Sequence, residues 1–132
     1  MADDSLFLID IDKVLREKAP QKAKYIPKFV VSYLKRIVHQ DELNGFLRGA
    51  QDKVGVDFLK ASLDFLDARL VVRGEENLPV DGRLCTFVSN HPLGGQDGLA
   101  LGYVLGTRYD GKIKYLVNDL LMNLHGLAPL CI

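Results

Sequence analysis

Leu84-Cys85-Thr86-Phe87-Val88-Ser89-Asn90-His91-Pro92-Leu93-Gly94-Gly95-Gln96-Asp97-Gly98-Leu99-Ala100-Leu101-Gly102-Tyr103-Val104-Leu105 joins two apolar runs through a polar, glycine-rich turn. Leu84 to Val88 has the length and composition of a short buried strand, and Leu99 to Leu105 the apolar density of a helix. A helix is therefore expected from Asp97 to about Gly106, with the polar chemistry in the loop before it. Loops fixed at the ends of strands carry catalytic groups more often than the elements they connect. The glycines let the backbone turn tightly, because they reach positive φ without a Cβ penalty. A histidine oriented by a carboxylate can take a proton from a hydroxyl near neutral pH, which makes His91 and Asp97 a candidate pair.

Taken singly, these residues admit simpler roles. His91 is also compatible with an ordinary strand-end position, and Asp97 with a cap on the following helix. A phosphate-cradling turn is a third option, since helix N-termini attract anions. The P-loop lysine and hydroxyl and the G-x-G-x-x-G fingerprint are missing from this segment.

Outward from the turn, the pattern changes near residue 70. The stretch 1–69 reads as helical. A first helix is expected from Asp10 to about Lys18, with a break at Ala19-Pro20. A second enters at Pro27, where proline suits a first turn, and carries Phe29, Val30, Tyr33, Leu34, Ile37 and Val38 as an apolar stripe. Asp41 is expected to cap a third helix holding Leu43, Phe46 and Leu47, and a fourth runs from about Val56 to Ala68. Beyond it, 70–132 alternates short apolar runs with turns: strands at Leu70 to Arg73, Leu84 to Val88, Lys112 to Val117 and from Leu130, helices at 97–106 and 118–124. The expected fold is α/β, a helical N-terminal layer followed by alternating strands and helices of a sheet.

Seventeen basic and seventeen acidic residues give a net charge of zero, which lends nucleic-acid binding no support. The distribution is uneven. Between Lys13 and Arg36 stand eight lysines or arginines against the single acid Glu17, a segment suited to anionic headgroups, to an acidic acyl carrier protein, or simply to solvent. Charges interrupt every apolar run before the roughly 18 residues a membrane-spanning helix needs. Met1-Ala2-Asp3-Asp4 opens acidic, unlike a secretory signal. Cys85 and Cys131 both fall in apolar runs and read as small core residues, with no disulfide framework and no metal-ligand spacing, which fits a reducing cytoplasm. His39 and His125 have no partner at zinc-ligand spacing, so no metal site is expected.

Asn90-His91-Pro92-Leu93-Gly94-Gly95-Gln96-Asp97-Gly98 resembles the first motif of the glycerolipid acyltransferase family, of the lysophosphatidic acid acyltransferase type. It is similar to the variant of the bacterial branch labelled hemolysin or acyltransferase. Gly126-Leu127-Ala128-Pro129-Leu130-Cys131-Ile132 resembles the start of the family's second motif, in family order. The usual family spacing puts four residues between His and Asp; here Pro92 to Gln96 make five, so the turn must bulge for Asp97 to reach the His91 ring. The Glu-Gly pair of the family's acceptor motif does not occur in the 132 residues, so the chain is expected to be the N-terminal part of a larger enzyme, inactive alone.

The resemblance implies transfer of a fatty acyl group from acyl-CoA or acyl carrier protein to the hydroxyl of a lysophospholipid or acylated amino-acid lipid. His91 would be the general base and Asp97 its orienter, with Asn90, Gly94, Gly95 and Gly126 contacting substrate. The Gly94-Gly95 N–H groups are candidate oxyanion donors. The residues after Gly126 are candidates either for an acyl-chain tunnel or for core. Neither metal nor cofactor is required beyond the thioester co-substrate. A cytoplasmic protein, peripheral on the inner face of the membrane, is expected, with self-association possible through an exposed sheet edge. The alternative is a non-catalytic fragment that binds a membrane surface or a carrier protein.

Overall fold

The computed structural model describes residues 8–117 and 119–132, so the acidic opening at 1–4 lies outside the described residues, as does residue 118. Seven helices follow one another among them: α1 Ile11–Lys18, α2 Pro20–Ala23, α3 Lys28–Ile37, α4 Gln40–Gly49, α5 Val56–Phe65, α6 Gly95–Arg108 and α7 Asp119–Met122. Single turns of 3-10 helix lie at Glu75–Asn77 and Ala128–Leu130.

The helix boundaries follow local chemistry. Asp10 caps α1, its carboxylate accepting the Asp12 N–H at 2.9 Å and the Lys13 N–H at 3.4 Å. Pro27 stands at the N-cap of α3, and Ala19-Pro20 separates α1 from α2. Asp41, expected to cap α4, instead lies in its first turn, where its charge complements the helix dipole. The cap position belongs to His39, in the left-handed region at φ 51°, whose ring pairs with Glu42 at 3.2 Å.

The core forms where α4 and α5 meet the last residues of the chain. Leu47 and Ala50, Phe58 and Leu59, and Leu127, Leu130 and Cys131 are buried together. Phe46 stacks on Phe65 with centroids 4.7 Å apart and meets Phe58 at 5.7 Å. The buried Asn44 is satisfied by the lead-in to α1: it accepts the Ile9 N–H at 2.7 Å and donates to the Ile9 carbonyl at 2.8 Å. Gln40 accepts the Ile11 N–H at 3.0 Å, so one face of α4 holds the start of α1 through two polar side chains. Lys35 pairs with Asp12 and ties α3 to α1. That hydrogen bond holds the Asp12 carboxyl below the usual carboxylate range.

The expected sheet is not there. Among the described residues no strand forms, and the single bridge is a parallel one between Tyr115 and Cys131. Lys112 to Val117 is extended but makes only that bridge. Leu130 ends a 3-10 turn rather than opening a strand. Leu70 to Arg73 and Leu84 to Val88 are extended and unpaired, with Leu84 and Val88 at 102% and 91% exposure. A strand is defined by a neighbour that takes its N–H and C=O groups, and no described segment lies beside 84–88 to do so. Hydrophobic composition raised the expectation; pairing decided the outcome. Cys85 is consequently exposed, whereas Cys131 is buried as expected.

Close packing at one glycine gives a direct test of the core. A Cβ on Gly126 would stand 2.1 Å from Phe58 Cδ2, and Phe58 is itself wedged against Phe46. Gly126→Ala is expected to destabilise the chain by about 1–3 kcal/mol through overpacking. Gly45→Ala, in the interior of α4 with nothing within 4 Å of the new methyl, is expected to stabilise by about 0.5–1 kcal/mol. Urea denaturation of the two variants beside the parent checks both signs.

Candidate active site

The polar turn sits at the N-terminus of α6, two residues earlier than the sequence pattern places the helix start. Gly94 is the N-cap, with φ 67° and ψ −126°, a conformation open to glycine and closed to residues with a Cβ. Its N–H turns back onto the His91 carbonyl at 3.3 Å, and its own carbonyl receives the Gly98 N–H at 3.4 Å. The backbone thus reverses over 91–94 and aims straight into the helix.

Asp97 occupies the third position of α6 and reaches back across the turn. Its Oδ2 accepts the Leu93 N–H at 2.7 Å, one residue before the N-cap N–H that a capping box would use. Among the described residues no hydrogen bond or ion pair joins it to His91. The extra residue in the His to Asp spacing is absorbed by this turn, and the carboxylate is used to hold the loop. His91 is exposed, its Cε1 3.6 Å from the point where a Cβ on Gly98 would stand, so the ring rests against the first turn of α6. Asn90 is exposed beside it and its carbonyl accepts the Ser89 hydroxyl at 2.8 Å.

Of the two glycine N–H groups considered as oxyanion donors, that of Gly94 is engaged with His91. That of Gly95, the first residue of α6, has no acceptor among the described residues. Gly126 is not at this turn. It is buried against Phe58, and its carbonyl accepts the Gly55 N–H at 2.8 Å, so packing accounts for it. Leu127, Leu130 and Cys131 are likewise core residues.

One residue of the site has no counterpart in the sequence reading. Tyr115 donates its hydroxyl to the Gly98 carbonyl at 2.8 Å and lies across α6 so closely that a Cβ on Gly102 would fall 1.2 Å from its oxygen. Gly106, one turn further, is overlaid by Val56 and Ile113. Gly98, Gly102 and Gly106 recur every four residues and give α6 a side-chain-free face. That spacing, set against the alternating Ile113, Tyr115 and Val117, is the signal that points to Tyr115.

Along the same helix opens a cavity of about 970 Å³, floored by Leu101, Gly102 and Leu105 and walled by the extended segments 83–87 and 112–116. The Tyr109 hydroxyl donates to the Pro79 carbonyl at 3.0 Å and its ring meets Phe87 at 5.8 Å, which fixes one wall to the helix end. Asn90, His91 and Asp97 do not line it.

The acyltransferase family model matches residues 13–132, nearly the whole chain. The chain belongs to this acyltransferase family. The lyso-glycine lipid O-acyltransferase of Bacteroides thetaiotaomicron is 74% identical over all 132 residues, which cover 48% of that protein. The protein of the same name from Phocaeicola vulgatus is 70% identical, again over the whole chain and 47% of the relative. The chain therefore spans about half the length of the curated relatives it matches. No solved structure matches it.

In this family member, Tyr115 couples the turn to the body of the chain, and its ionisation reports on that coupling. Burial, assisted by the neighbouring Cys131, pushes the phenol up to about 12. A raised folded-state value means that the stabilisation is complete below the ordinary tyrosine range near 10 and is lost as pH climbs toward about 12. Phenolate absorbance is expected to show one of the five tyrosines titrating late, and Tyr115→Phe to remove that component. The same substitution deletes one hydrogen bond and is expected to reduce stability by about 1 kcal/mol.

Proposed function

We propose that the chain carries the general-base portion of a lipid O-acyltransferase, with His91 as the base and an acyl thioester, acyl-CoA or acyl carrier protein, as donor. The observation that carries the proposal is the placement of His91, exposed on a glycine-built turn at a helix N-terminus, in a chain 74% identical to a lyso-glycine lipid O-acyltransferase. The acceptor is a lysolipid with a free hydroxyl, of the glycine-lipid class for which the relatives are named.

The imidazole of His91 removes the hydroxyl proton as the acceptor oxygen attacks the thioester carbonyl. The oxyanion of the tetrahedral intermediate is met by the Gly95 N–H and the positive end of α6. Collapse breaks the carbon–sulfur bond, the imidazolium returns its proton to the departing thiolate, and the products are an ester and a free thiol. Asp97 acts by orientation, through its hold on the Leu93 N–H that fixes the turn from which His91 projects. Asn90 and Gly94 shape the approach to the base. The protein works at the inner, cytoplasmic face of the membrane, where lysolipid and thioester meet.

Joining this chain to the remaining half of the Bacteroides thetaiotaomicron relative supplies a full-length enzyme for the test. It is expected to acylate lyso-glycine lipid from a thioester. His91→Ala is expected to reduce turnover at least about a hundredfold while the melting temperature holds, because the ring is exposed. Full activity in the His91→Ala form would overturn the assignment of the base.

A further inference from the structure

An uncovered apolar stripe runs along α3. Phe29, Tyr33 and Ile37 recur at every fourth residue and are 74%, 62% and 54% exposed, and Tyr25 in the turn before the helix is 86% exposed. The adjoining side of α3, with Val30, Val31 and Leu34, is half-buried. The helix thus uses one apolar side for its own packing and leaves a second without a partner among the described residues.

The charges around this stripe are one-sided. Lys22, Lys24, Lys28 and Arg36 are all exposed, and none of the four is in an ion pair among the described residues. Arg36 shares the helical face of Phe29 and Tyr33, and Lys28 flanks it. The other basic side chain of α3, Lys35, is paired with Asp12 of α1. Cations therefore remain unpaired where the exposed apolar residues are.

We propose that this face of α3, continued by Tyr25, is a docking surface for an anionic lipid bilayer. The inference rests on the lipid-acyltransferase reading above and names where that enzyme meets its lipid. Apolar side chains on successive turns insert into the headgroup boundary, tyrosines sit at its polar edge, and lysine and arginine heads reach the phosphates. Ten residues make a helix of about 15 Å, half the thickness of a hydrocarbon core, so α3 lies on the surface and does not cross it. No described helix is long and apolar enough to span. A second copy of the chain is a poor occupant, because a two-fold contact through this face would set its unpaired cations against their own duplicates.

Vesicle co-sedimentation of the chain, with no acyl donor present, tests this independently of turnover. Vesicles are phosphatidylcholine alone or phosphatidylcholine mixed with phosphatidylglycerol. Binding is expected on the mixed vesicles, and is expected to weaken as added salt shortens the screening length from about 10 Å to about 3 Å. Phe29→Ser/Tyr33→Ser is expected to lower partitioning about tenfold or more, and Lys22→Glu/Lys24→Glu to abolish the preference for anionic lipid. Val71→Ser, which removes a residue equally exposed but outside the stripe, is expected to bind like the parent. Circular dichroism confirms that each variant is folded. Equal recovery on both lipids overturns the proposal, as does parental binding by either double variant. So does a complex with acyl carrier protein that the same substitutions disrupt while vesicle binding is unchanged.

Discussion

The structure depends most on one aromatic side chain laid across a helix that has no side chains to meet it. Tyr115 is held at three points: its N–H donates to the Leu130 carbonyl at 2.7 Å, its carbonyl accepts the Ile132 N–H at 2.9 Å, and its hydroxyl donates to Gly98 at 2.8 Å. The first two bonds join it to the segment that buries Leu130 and Cys131 against α5, and the third joins it to the first turn of α6. The missing Cβ at Gly102 is what allows the approach, and that at Gly106 admits Val56 and Ile113 in the same way. The entropic penalty of Gly102 and Gly106 within the helix, about 0.5–1 kcal/mol each, is offset by contacts that an alanine at either position would not permit.

That arrangement explains how an exposed polar turn can be well defined. The turn at 91–94 makes few contacts of its own. It is fixed from the helix side by Asp97 on Leu93 and, at the next residue, by Tyr115 on the Gly98 carbonyl. A catalytic base on such a loop gains precision from the rigid element behind it rather than from burial. The Asp97 carboxylate holds the loop backbone that carries His91, without contact to the imidazole.

What could be read from the residues alone divides along the range of the interactions. The helices were legible because caps, prolines and a 3.6-residue apolar period act within a few positions; Asp10 and Pro27 stand where the pattern places them, and α3 forms over its apolar stripe, but Phe29, Tyr33 and Ile37 of that stripe are exposed rather than core. The His91 turn was legible as a helix entrance because glycine and aspartate there have local jobs. The strands were not, since Leu84 to Val88 differs from a sheet strand only in lacking a neighbour, and a neighbour is a fact about distant sequence. Tyr115 escaped for the same reason: its partners Gly98 and Leu130 lie 17 and 15 residues away, and its role is visible only once α6 has turned its glycines toward it. Gly126 was legible as special but not as to why, because a residue type that permits close approach does not say whether a substrate or Phe58 approaches.

The chain exposes two kinds of apolar surface, and their backbones separate them. On α3 every interior N–H and C=O is bonded within the helix, so an apolar surrounding takes nothing from it and a lipid surface can accept the stripe of Phe29, Tyr33 and Ile37. At 84–88 the apolar side chains Leu84 and Val88 come with main-chain groups unbonded among the described residues, which a hydrocarbon environment would leave unsatisfied at several kcal/mol each. That segment can be covered only by something that supplies donors and acceptors along an extended line, namely another polypeptide strand or water. Cations follow the same division. Lys22, Lys24 and Lys28, in and just before α3, are exposed and outside the ion pairs of the described residues, while Arg83 closes locally on Asp81 at 3.2 Å and leaves its stretch without an unpaired guanidinium to offer a lipid. Hydrophobic exposure by itself does not identify a partner; the hydrogen-bonding state of the backbone beneath it does.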